Sequence, residues 1–155
     1  MLKMEIEDAC RRALKNQEPL LLSVLRLLLA AIHNREIEKR ATGEMSGVAD
    51  LTDEEVTAVI RSEAKKRKDA IAEFTRGGRQ AAAEKESAEL AILEKYLPAE
   101  MSDEEIEKLL APLAQGVSAA DFGRVMGAAM KAVAGRASGD RVAAAVKRLL
   151  QIQKD

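Results

Sequence analysis

Two side chains of this chain could lead nucleophilic or acid–base chemistry: Cys10 and His33, its single cysteine and single histidine. A thiol nucleophile needs a neighbouring base. Around Cys10 stand Asp8, Arg11 and Arg12, which supply charge but no such base, so Cys10 reads as a packed or incidental thiol. His33 falls late on a leucine-rich stretch, where a solvent-facing or helix-end imidazole fits better than a general base. No Cys/His set has zinc spacing, and the acidic runs lack the Asp-x-Asp-x-Asp-Gly pattern of a calcium loop. Gly135-Arg136-Ala137-Ser138-Gly139-Asp140 invites comparison with a phosphate loop, but it lacks the Gly-Lys-Ser/Thr ending and no strand precedes it. Hydrolysis of a glutamine amide would need an activated Ser or Cys, and ATP use would need a phosphate cradle. Neither is visible. The expectation is a binding protein with no catalytic residues, cofactor or metal.

Binding chemistry is carried by two basic features. Lys65, Lys66, Arg67 and Lys68 are consecutive on a helical segment and therefore fan around it; with Glu63, Asp69 and Glu73 nearby they read as a solvated, ion-paired face. Arg76 and Arg79 flank Gly77-Gly78, where they could cap helix-end carbonyls or reach a partner. The second feature is Arg124, Lys131, Arg136, Arg141, Lys147 and Arg148. Arg124 and Lys131 are seven apart and share a helix face. Arg136 sits in a glycine-bounded turn beside the start of the next helix, where backbone N–H groups favour anions. Such cations could follow a phosphate backbone, provided they share one surface; ordinary surface charge is the other reading. No aromatic residues interleave with them, so stacking on single-stranded bases is not expected.

The elements that must position these groups follow from composition. Hydrophobic residues are 47%, charged residues 33% and aromatics 2%, so the core is built from Leu, Ile, Val, Ala and Met. Strand-type enrichment and alternation are missing, and the fold class is all-α. The most apolar stretch, Leu20 to Ile32, is shorter than the roughly 20 residues of a membrane span and is interrupted by Arg26. With one cysteine there is no intramolecular disulfide, and the first residues show no signal-peptide core, so a cytoplasmic location is the expectation. Net charge is −1, but residues 1–115 hold 18 Lys and Arg against 23 Asp and Glu, a balance of −5. Residues 116–155 hold 7 against 3, a balance of +4, which hints at a polyanionic partner for the tail.

Along the chain, a short amphipathic helix spans about Lys3 to Asn16, and Pro19 opens the next, which runs to about Arg40 with Leu21, Leu25, Leu28 and Ile32 as its stripe. Residues Ala41 to Leu51, with Thr42-Gly43 and Ser46-Gly47, read as an exposed loop. Thr52-Asp53-Glu54-Glu55 is a capping box opening a helix that Gly77-Gly78 ends. A further helix starts at about Arg79 and stops before Pro98. Leu97-Pro98 is the expected boundary between an N-terminal helical bundle or hairpin, 1–97, and a small three-helix bundle, 98–155. In the latter, Ser102-Asp103-Glu104-Glu105 forms a second capping box, with Ile106, Leu109, Leu110 and Leu113 inward. Ser118 to Asp121 caps a helix with Phe122, Val125, Met126, Ala129, Met130 and Val133 on its apolar side. Gly135 is its left-handed end, and Ser138-Gly139-Asp140 starts the last helix.

Several stretches resemble the GatB/YqeY family, specifically the stand-alone YqeY-like proteins. They are Leu25 to Ile32 with Glu36-Ile37-Glu38, then Lys65 to Ile71, Gly78-Arg79, Ala83 to Glu86, and Glu89-Leu90 through Tyr96-Leu97-Pro98. In the tail they are Phe122-Gly123-Arg124-Val125-Met126-Gly127 and Gly135-Arg136-Ala137 on to Val142. The resemblance implies a two-domain helical fold whose C-terminal bundle is similar to the tail domain of the B subunit of glutamine-dependent tRNA amidotransferase. In that enzyme the tail approaches the tRNA while chemistry happens elsewhere. It also implies an association with carbon–nitrogen ligase activity using glutamine as amide donor, although this chain has no counterpart of the catalytic units. Carried over by position, Arg124, Lys131, Arg136 and Arg141 become tRNA-contact candidates, with Lys147 beside them. Lys65, Lys66, Arg67, Lys68 and Arg79 form a secondary cluster. Ala134 stands where a lysine is frequent in the family, which thins the positive patch. The expected partner is tRNA, with a synthetase or amidotransferase as a further one and no membrane; the alternative is a helical protein–protein adaptor that binds no RNA.

Overall fold

The computed structural model of the protein describes residues 1–43 and 50–152. Among them every regular element is helical, as the shortage of aromatic and β-branched residues requires. Contacts divide the chain into two compact units, Met1–Leu97 and Pro98–Asp155.

The N-terminal unit holds α1 (Leu2–Lys15), α2 (Pro19–Ala41), α3 (Asp53–Arg76) and α4 (Gln80–Glu94). Ile6 and Ala9 of α1 meet Val24, Leu25, Leu28 and Ile32 of α2, with Val56, Ile60 and Ala64 of α3 and Leu93 of α4 closing the core. Pro19 occupies the first turn of α2, where its missing N–H leaves no bond unmade. Thr52 caps α3 through a full capping box. Its hydroxyl accepts from the Glu55 amide at 3.3 Å, while the Thr52 amide donates to the Glu55 carboxylate at 2.8 Å. That carboxylate also takes the Lys39 ammonium from α2. Together the two partners hold its pKa below the ordinary 4.5, Lys39 being the larger cause. Of the expected 41–51 loop, Ser46-Gly47 lie outside the described residues, whereas Leu51 is fully buried. The last helix of this unit ends at Glu94, earlier than the Leu97-Pro98 stop signal alone suggests, and Tyr96 and Leu97 pack on the core from the following turns.

Two charged residues lie within this unit's packing. Glu36 is buried and accepts from Lys3 at 2.7 Å, which fastens the start of α1 to α2 and raises the lysine's pKa. Arg67 is buried between α3 and α4, 3.3 Å from Glu63 and 3.4 Å from Glu89. The Glu89 approach is an ion pair not aligned as a hydrogen bond, since Arg67 Nε finds no hydrogen-bond acceptor.

The C-terminal unit holds α5 (Asp103–Ala114), a 3₁₀ turn (Ala119–Asp121), α6 (Phe122–Val133) and α7 (Gly139–Ile152). Its core joins Met101, Ile106 and Leu110 to Val125, Ala129 and Val133 and to Val142, Ala145, Val146 and Leu150. Ser102 makes the second capping box with Glu105. Two expectations need correction here. Leu113 and Met130 are exposed, because each lies just past the edge of its helix's buried stripe. Ser118 to Asp121 does not cap α6 with a side chain: residues 119–121 wind into the 3₁₀ turn and run straight into it. The left-handed end of α6 is shared, with Ala134 at φ 46° and Gly135 at φ 74°. No described helix is long and apolar enough to cross a membrane.

Candidate nucleic-acid interface

α6 buries Val125, Ala129 and Val133, so Arg124 and Lys131 must emerge on its opposite, outer face. Between them on that face lie only Gly127 and Ala128, which leaves two cations on a smooth surface. Arg124 is 74% exposed and stands 3.7 Å from Asp121, one turn back. Lys131 is exposed and has no carboxylate three or four residues away on its own helix. Arg136 follows in the turn after α6. Its backbone is fixed from both sides, its amide donating to Val133 at 2.9 Å and its carbonyl accepting from the Met101 amide at 2.9 Å. Its Nε also donates to the Val133 carbonyl, at 3.3 Å, so the side chain doubles as a cap for α6.

α7 divides the remaining cations between its two shoulders. Lys147 lies on the α6 side, with Nζ 5.9 Å from the Phe122 ring centre, which brings it to the first turn of α6. Arg141 and Arg148, seven residues apart, lie on the α5 side. Arg141 donates to Asp103 at 2.7 Å and to the Met101 carbonyl at 2.7 Å, and Glu100 is 3.6 Å away. Arg148 sits 2.8 Å from Glu107. The five expected contacts are therefore not one set. Arg124, Lys131, Arg136 and Lys147 are carried on α6, its following turn and the near shoulder of α7. Arg141, 33% exposed and held by carboxylates, joins the start of α5 to α7.

The secondary cluster is ion-paired along α3, as its sequence neighbours suggest. Lys65 meets Asp69 at 3.3 Å, Lys66 meets Glu63 at 2.6 Å and Lys68 meets Glu94 at 3.5 Å. Arg67 departs from the solvated reading because it is buried; the spacing Ile60, Ala64, Arg67, Ile71 places it on the apolar stripe of α3, a signal present in the sequence. Arg79 lies over the Phe74 ring at 5.1 Å, across the Gly77-Gly78 turn. Arg67, Lys68 and Arg79 thus hold α3 to α4 or to the turn between them.

Cys10 and His33 form no joint site. Cys10 is half-buried in a groove of about 280 Å³ between α1 and α2, among Glu7, Leu14, Leu22, Arg26 and Leu29. His33 is exposed, its Nδ1 3.5 Å from Glu36. Among the described residues no three His, Cys, Asp or Glu side chains are grouped to hold a metal ion. Among curated proteins no match to the chain is found. The family model for Yqey-like protein matches residues 3–150, which takes in both units and every cation described above, and the chain belongs to the YqeY-like family.

Proposed function

We propose that this protein binds folded RNA, tRNA in the first instance, through the outer face of α6, the turn that follows it and Lys147, and that it serves glutamine-dependent tRNA amidotransfer as a non-catalytic accessory. The observation that carries the reading is the pairing of Arg124 with Lys131 across Gly127 and Ala128, on the face of α6 that the core leaves free. Two cations about 10.5 Å apart along the axis, with only glycine and alanine between them, suit contacts to a phosphate backbone better than reading of base edges. The +4 balance of residues 116–155 supports the same sign of partner.

The test is a titration of bulk tRNA at several salt concentrations. Affinity should fall steeply as salt rises, and Arg124→Ala or Lys131→Ala should each lower the slope of log affinity against log salt by about 0.7–0.9. The α3 cluster supplies the control: Lys65→Ala should leave the slope unchanged. No complex at low salt would dismiss the RNA reading and leave the adaptor reading in its place.

A further inference from the structure

The cations around α6 stand on two sides of it. At about 100° per residue, the helix places Phe122 about 160° from Arg124 and about 180° from Lys131. The Phe122 side meets α7, because the Lys147 ammonium lies over the Phe122 ring, and Met126 follows on that side one turn later. Lys147 is exposed, so it reaches solvent on the α7 flank, while Arg124 and Lys131 reach it on the other. Between the flanks the exposed positions of α6 are Gly123, Gly127 and Met130. None of these three has a side-chain nitrogen or oxygen, so the crest of the helix has no group with which to read a base.

We infer, building on the RNA reading proposed above, that the RNA taken here is double-stranded, with α6 straddling the minor groove of an A-form helix irrespective of sequence. A single strand offers one row of phosphates, which Arg124 and Lys131 can follow by themselves. A duplex groove offers two facing rows, and a ridge with cations on both flanks meets both. Groove dimensions select the geometry. A helix with its side chains is about 10–12 Å across, which the B-form minor groove, roughly 6 Å wide, excludes. The A-form major groove is too deep and narrow for side chains, whereas its minor groove is wide and shallow. A crest of glycines suits a shallow floor; it would leave the B-form major groove, roughly 8.5 Å deep, unfilled beneath it. Stacking on unpaired bases finds no platform, since Phe122, the one aromatic of α6, is partly buried and lies under Lys147.

The α7 flank also holds a carboxylate. Asp140 is seven residues before Lys147 and on the same shoulder of α7, so attraction on that flank is confined to its Lys147 end.

Competition against labelled tRNA, with the full chain, tests the assignment. The competitors are a mixed-sequence RNA duplex of about 16 base pairs, a second duplex with the sequence scrambled, one strand alone, and the DNA duplex of the same sequence. Both RNA duplexes should compete equally, and the strand and the DNA at least tenfold more weakly. Lys147→Ala, at an exposed position, should keep the helical circular dichroism. It should lower the slope of log affinity against log salt by about 0.9 on the duplex and leave the slope on the single strand unchanged. Asp140→Asn should tighten duplex binding severalfold. If neither tRNA nor any duplex binds, the RNA reading falls and the duplex assignment with it. If tRNA binds but the strand or the DNA competes as well as the RNA duplexes, the duplex assignment falls alone. It falls likewise if one duplex sequence is strongly preferred or if Lys147→Ala leaves the duplex slope unchanged.

Discussion

Replacing Gly127 by alanine should make the protein more stable and a poorer binder of tRNA. Gly127 lies in the interior of α6, where its N–H and C=O belong to the helical ladder. A Cβ built there meets no atom within 4 Å, so the methyl neither clashes nor gains a contact. What remains is the backbone freedom that glycine loses on folding, worth about 0.8–1.0 kcal/mol against alanine in a helix interior. For a small domain that is a rise of roughly 4–8 °C in melting temperature, or roughly 2–4 °C if both units unfold together. Thermal unfolding followed by far-ultraviolet circular dichroism reads the shift, and amide exchange assigns it to α6. A melting temperature that stays or falls would refute the reasoning, because it would mean that something in the fold approaches Gly127 closely. The same methyl stands between Arg124 and Lys131 on the surface proposed to meet RNA. It should hold a phosphate backbone off the helix and weaken tRNA binding severalfold. A stabilised variant that binds tRNA as well as the parent would move the contact away from this face.

Three other substitutions test what holds the two units folded. Arg141→Ala removes the bonds to Asp103 and to the Met101 carbonyl; as the group is partly exposed, the expected loss is about 1–2 kcal/mol in denaturant unfolding, with tRNA affinity of the folded protein unchanged. Ala134→Gly relieves a left-handed backbone at φ 46° and should stabilise by about 1 kcal/mol, read as a higher denaturation midpoint. Glu55 has its pKa lowered in the folded state, so its contribution is present above the unfolded value and is lost as pH falls through the folded one. The stability difference between the parent and Glu55→Gln, measured by urea unfolding, should therefore be largest near neutral pH and fade in acid.

The fold class could be read from composition, because a chain with three aromatics and few strand-type runs has only helices to build from. The two capping boxes could be read as well, since Thr52 with Glu55 and Ser102 with Glu105 satisfy helix-end donors locally, without help from the tertiary structure. Side chains at the edges of stripes could not. Leu113 and Met130 have the right type and nearly the right spacing, but burial there depends on where the neighbouring helix ends, which periodicity does not encode. Glu36 and Arg67 show the converse. Each falls on an apolar stripe, after Leu28 and Ile32 or after Ile60 and Ala64, and the spacing marks them as buried even though the residue type argues otherwise. At the candidate site, the outward face of Arg124 and Lys131 was visible in their spacing. The turning of Arg141 toward α5 was not, since its partners Asp103 and Met101 stand 38 and 40 residues away.

The long pair α3 and α4 carries a consequence for motion. Beyond Arg67, the inward residues Ile71, Phe74 and Ala83 belong to neither hydrophobic core, and the two helices there rest on each other. The Arg67 bridge to Glu89 and the Lys68 pair with Glu94 tie the two helices on the core side of that stretch. The far end of the hairpin can thus open and reclose without disturbing the four-helix core. Its backbone amides should trade hydrogen for deuterium well before those of Ile60 or Leu93, with the boundary of protection at the bridge.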